Sequence, residues 1–252
     1  MREKYINVMN AHAQAVIERG SVDFAEKLEE IETILNLEEE MLASYCVVAD
    51  LQGKVYKEFA QMAIRIINKN LEYIYVAFIL TQRGQYAVAR VIFRNIYESL
   101  IILKTVSITD DQKLLNDWLD GKCINMRKRI FEKITSPKSE EMRVLWDDLC
   151  KFCHGTVVSG QWSYDYNEIK RSLTYNYIVL EMLLYMNYHA LNKYVFTDGM
   201  KAMADRNIII LDDISLKERR DILRSKLKES KNSLSKEAQK VLTNFSRVWK
   251  FS

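Results

Sequence analysis

The chain has 252 residues, with 7 Gly, 1 Pro, and 37 Lys+Arg against 34 Asp+Glu. Hydrophobic residues at 48% and a net charge of only +3 argue against disorder, which needs low hydrophobicity and high net charge. So few Gly and Pro argue against an all-β protein, whose tight turns recruit both. Neither GxGxxG nor GxxxxGKS/T occurs to mark a phosphate loop.

Apolar residues recur at helical spacing almost everywhere, so the sequence predicts an all-α fold, an irregular bundle of about seven to nine helices. The first helix is expected over Glu3 to Arg19, ending near Gly20, with Asp23 and Glu26 as a capping box for the next. Leu28, Ile31, Leu35, Met41, Leu42 and Tyr45 continue that second helix toward Gly53. Phe59, Met62, Ile66, Ile74 and Phe78 mark a third, ending at Gly84. From Gln85 to Ser107 the apolar residues run nearly all round, the signature of a central, buried helix. Thr109 and Gln112 read as a capping box for a helix through Leu119. Ser136–Pro137 reads as the start of a short helix ending at His154–Gly155. Thr156 to Asp165 reads as a loop, Asn167 to Phe196 as a long tyrosine-rich helix, and Asn207 to Asp213 as a short apolar run of unclear structure. Ser215 and Glu218 cap a basic helix, and a last helix spans about Ser235 to Trp249. The organisation predicted is a helical bundle domain over 1–212 and a basic helical arm over 213–252.

The small net charge conceals a gradient: residues 1–50 carry −7 and residues 217–252 carry +7. Such ends could attract each other within one molecule or between two, and the basic end could meet nucleic acid. Its candidates for phosphate contact are Arg219, Arg220, Arg224, Lys226 and Lys228. Glu218, Asp221 and Glu229 among them fit a solvated helix equally well.

Arg90, Arg94 and Glu98 lie four apart on the buried helix and therefore form one stripe. Charges there must be paired or must line a polar cavity, because unpaired burial costs several kcal/mol. The stripe is either an ion network bracing the bundle or an anion site, for which the arginine fork is suited. His154 stands at an expected helix end, where an imidazole serves as a general acid/base or as a plain cap.

Cys150, Cys153 and His154 spell C-x-x-C-H, the spacing of c-type haem attachment. Residues 1–20 do not read as an export signal, and zinc would find three ligands here at best, so no cofactor or metal is expected. No uncharged run is long enough to span a membrane, and the expected location is the cytoplasm.

The string from Gly84 to Glu98, with Arg90, Arg94 and Glu98 inside it, resembles a pattern in an uncharacterised bacterial family of helical proteins. Lys151-Phe152-Cys153-His154-Gly155 looks like that family's His-containing helix end. The match covers roughly residues 55–155, and such proteins look like relatives of the HEPN superfamily. The resemblance implies a helical bundle, often a homodimer, at work in bacterial defence or as a toxin. In catalytic members it implies a metal-independent ribonuclease with an Arg-x4-6-His motif. Here no arginine stands at that spacing before His154. Ribonuclease chemistry would need His154 as the acid/base with Arg90 or Arg94 brought from the neighbouring helix. The other reading is a non-catalytic interaction protein that docks a partner or a second copy through its charged ends.

Overall fold

The three- and four-residue spacing becomes helix throughout the computed structural model, which describes residues 2–51, 58–134, 140–153, 165–197 and 213–246. In chain order the helices are α1 (Arg2–Asp23), α2 (Ala25–Leu51), α3 (Glu58–Gln82), α4 (Tyr86–Thr109) and α5 (Gln112–Leu119). They continue with α6 (Met126–Arg129), α7 (Glu140–Cys153), α8 (Tyr166–Ala190), α9 (Asp213–Ser233) and α10 (Lys236–Ser246). A 3-10 turn (Phe131–Lys133) follows α6, and a wider π-type turn (Leu191–Thr197) prolongs α8. Among the described residues there is no β-strand, so the fold is all-α. No described helix is long and apolar enough to cross a membrane.

Several boundaries differ from those read in the sequence: α9 begins at Asp213, two residues before the expected cap Ser215. Gly20 does not end α1: the helix runs on to Asp23, and backbone bonds from Phe24 N to Gly20 O (3.0 Å) and from Leu28 N to Phe24 O (2.9 Å) bridge into α2. A single glycine costs a helix only about 1 kcal/mol, which packing overrides. Thr109 does not cap α5 either. Its hydroxyl donates to Thr105 O, and Asp111 takes the cap instead by accepting from Leu114 N at 2.8 Å. A carboxylate at that place also favours the positive end of the helix dipole. Gly53, Ser136–Pro137, His154–Gly155, Thr156 to Tyr164 and Asn207 to Asp212 lie outside the described residues.

Helix α4 forms the axis of the bundle. It packs on α3, α7 and α8, and every residue from Ser99 to Val106 is buried. The close α3–α4 turn requires Gly84, whose φ is +73° and whose Cβ would stand 3.2 Å from Val16 and 3.3 Å from His12. Helix α9 packs on α2 and α8 through buried Leu223 and Leu227, and α10 packs on α8 and α7. The basic end of the chain therefore meets its acidic beginning within one molecule.

A polar thread crosses this interior. Ser99 Oγ donates to Asn70 Oδ1, Asn70 Nδ2 to Asn187 Oδ1, and Asn187 Nδ2 to Glu38 Oε2, joining α4, α3, α8 and α2. Glu38 is 0% exposed and its Oε1 has no partner. Burial pushes its carboxyl well above the usual range, against the Asn187 hydrogen bond, and so favours the protonated form.

Candidate functional site

The first half of α4 presents the predicted stripe toward the end of α7 and the first turns of α8. Tyr97, buried on α4, donates its hydroxyl to Met142 O at 3.0 Å and so fixes α7 alongside. Asp165 caps α8 by accepting from Asn167 N at 2.9 Å, which sets the register that delivers Tyr175 and Asn176 to Arg90.

The structure brings Arg94 and Glu98 together and closes them. Arg94 Nε donates to Glu98 Oε1 at 2.8 Å, and the indole N–H of Trp146 donates to the same oxygen at 2.7 Å. The Arg94 guanidinium lies 5.9 Å from the Trp146 ring centre, with Cys153 of α7 beside it. Burial works against its charge, but Cys153 and Glu98 outweigh that and hold it above the ordinary guanidinium value. Cys150 stands on the same face of α7, where burial pushes its thiol up to about 11, with Arg94 opposing.

Arg90, one turn earlier, has a different environment. Its guanidinium is sandwiched at 4.6 Å from both the Phe152 ring and the Tyr175 ring. Nε donates to Asn176 Oδ1 at 2.8 Å, and Asn176 in turn donates to Thr81 Oγ1. Burial lowers the Arg90 value, partly opposed by Tyr175 and Tyr86. Among the described residues no carboxylate pairs with it. The Tyr86 hydroxyl is buried with no hydrogen-bond partner, and burial pushes its acidity down, against the pull of Arg90.

Magnitudes separate the two arginines. Each aromatic face offers a cation about 0.5–2 kcal/mol, and a hydrogen bond from a charged donor about 1.5–3 kcal/mol. These terms are comparable to the several kcal/mol that burying an unpaired ion costs. Among the described residues Arg90 is thus held in place as a cation with its terminal nitrogens uncommitted, whereas Arg94 already has its anion.

The remaining candidates are dispersed. His154, covalently next after Cys153, lies outside the described residues. Arg224, Lys226 and Lys228 are exposed on α9 and make no ion pair among the described residues. Arg219 and Arg220 belong to the same helix, their side chains outside the described set. The sequence reading missed Asn176 and the aromatic partners. In the sequence Tyr175 is one tyrosine of a tyrosine-rich helix, and Phe152 stands out only as a neighbour of Cys153 and His154. These partners come from α7 and α8, more than forty-five residues along the chain, and no spacing links them to Arg90 or Glu98.

Beside this clamp, an open groove of about 630 Å³ follows α8 and is lined by Asn167, Glu168, Lys170, Arg171, Thr174 and Tyr175, among others. The class defined by fold and site is an all-α bundle with a half-buried, aromatic-clamped arginine. Compared with models of known protein families, with characterised proteins and with solved structures, the chain matches none.

Proposed function

We propose that this chain binds RNA through a phosphate held at Arg90, as a HEPN-like protein of the bacterial defence or toxin type. The observation that carries the reading is the asymmetry of the stripe: Arg94 is neutralised by Glu98, while Arg90 is fixed by two rings and a neutral amide and, among the described residues, pairs with no carboxylate. A fixed guanidinium fork in a half-buried site is suited to phosphate by its geometry and charge, which supports the reading. In the ribonuclease form of this reading, His154 moves the proton and Arg90 stabilises charge on the phosphorane, with no metal ion.

Expressing wild type, Arg90→Ala and His154→Ala in bacteria, with growth and RNA integrity followed, tests both levels. Growth arrest with RNA cleavage, lost in both variants, supports the ribonuclease. RNA co-purifying with wild type and His154→Ala but not with Arg90→Ala supports binding alone. RNA retained equally by Arg90→Ala overturns the reading.

A second reading, a non-catalytic docking protein, is favoured by the outer face of α3 and α4. Tyr75, Val76, Val88 and Val91 are exposed there, between 41% and 54%. The Lys69–Asn95 hydrogen bond of 3.2 Å ties the two helices together on their surface. A partner protein or a second copy would cover this face.

A further inference from the structure

We infer that Tyr175 is a base-stacking platform, so that the ligand of the Arg90 clamp is a single-stranded nucleotide segment rather than phosphate alone. This rests on the proposed binding of phosphate at Arg90. Tyr175 belongs to two features at once: its ring clamps Arg90 at 4.6 Å, and the residue lines the open groove along α8. The Arg90 contact and the Asn176 bond one residue on hold that ring in place, so stacking a base on it costs little ordering.

The groove, about 630 Å³ and open to solvent along α8, has room for a nucleoside lying against the helix. It carries its own cation. Arg171 lies four residues before Tyr175 on the same helix face and makes no ion pair among the described residues. A base on Tyr175 would have its own phosphate at Arg171 and the adjoining one at Arg90. A platform ring flanked by arginines is the arrangement by which single strands are held without base pairing. A duplex does not fit, because its bases are already stacked.

The test compares two probes on the full chain by fluorescence anisotropy: a ten-residue single-stranded RNA and an abasic ribose-phosphate oligomer of the same length and charge. Wild type binds the base-bearing strand roughly tenfold more tightly. Tyr175→Leu, which also takes one ring from the Arg90 clamp, weakens the RNA far more than the abasic probe and so erases the preference, and Tyr175→Phe preserves it. Equal affinity of wild type for both probes overturns the platform. So does a loss on both probes alike in Tyr175→Leu. In those two cases, weaker binding of both probes by Arg90→Ala leaves the phosphate reading standing. If neither probe binds, or Arg90→Ala changes neither, both the platform and the phosphate reading fail.

Discussion

Helix α4 carries a desolvated cation toward each end, and the two are held differently. Near its start Arg90 is half-buried between two rings, with its outer nitrogens uncommitted among the described residues. Near its end Lys104 is 2% exposed, with its Nζ 4.9 Å from the Phe245 ring of α10. His189 meets the same ring edge-on at 5.8 Å. Burial lowers Lys104 to about 7, with Lys193 adding repulsion. Burial likewise lowers His189 to about 4, with Lys104 and Lys193 adding to it. Arginine keeps its proton at any accessible pH, so its desolvation is relieved by partners. Lysine can release its proton instead. One end of the helix therefore offers a fixed charge, and the other resembles a core that happens to contain nitrogen.

The largest break in that comparison comes from removing what seals the lysine end. Phe245 is 1% exposed, and Phe245→Ala is expected to cost about 3–5 kcal/mol in urea unfolding. The equivalent truncation at the arginine end, Phe152→Ala, removes a half-buried ring and costs about 1–2 kcal/mol. Equal costs would mean that both ends are simply core.

A smaller effect separates the two cations by pH. Lys104 titrates near 7 in the folded chain and near 10.5 when unfolded, so its folded value is depressed. Between these values the unfolded state binds more protons, and stability is lost as pH falls from about 10.5 through about 7. Lys193 and His189 lie near Lys104; the first repels its charge, and the second, lowered to about 4, is neutral over this range. Lys104→Met is expected to flatten this slope and to stabilise the fold at pH 7 by roughly 1–2 kcal/mol. Arg90→Met leaves the slope unchanged. Thermal unfolding between pH 6.5 and 9.5 reads both, and a slope that survives Lys104→Met would show that another group titrates.

Much of this was legible in the sequence, down to identifiable residues. The apolar run Ile101-Ile102-Leu103 flanking Lys104 announced a buried helix, and the four-residue spacing of Arg90, Arg94 and Glu98 announced one stripe. What could not be read was how the stripe divides, because Asn176, Tyr175, Phe152 and Trp146 arrive from other helices. Likewise the opposite charges at the two ends did not say whether they meet within one chain. That follows from α9 packing on α2. Glu38 was hidden differently. It sits in an acidic run with Glu39 and Glu40, yet it lies seven residues after Ile31 and three after Leu35, on their buried face.

The finest test converts one arginine into the other. Glu98→Gln removes the carboxylate that neutralises Arg94 and leaves an amide of nearly the same shape. Its oxygen can still accept from Arg94 Nε and from the Trp146 indole. The pair is about one-quarter exposed on each side, so the stability cost is small, below about 1 kcal/mol. The gain falls on binding: Arg94 becomes a second uncommitted guanidinium one turn from Arg90, and affinity for a single-stranded RNA should rise several-fold at low salt. The rise should shrink as salt increases, since added phosphate contacts steepen the salt dependence. Unchanged RNA affinity in Glu98→Gln would mean that Arg94 stays closed off by Trp146 and Cys153, and that the openness of Arg90 comes from its position on the helix rather than from the lack of a carboxylate beside it.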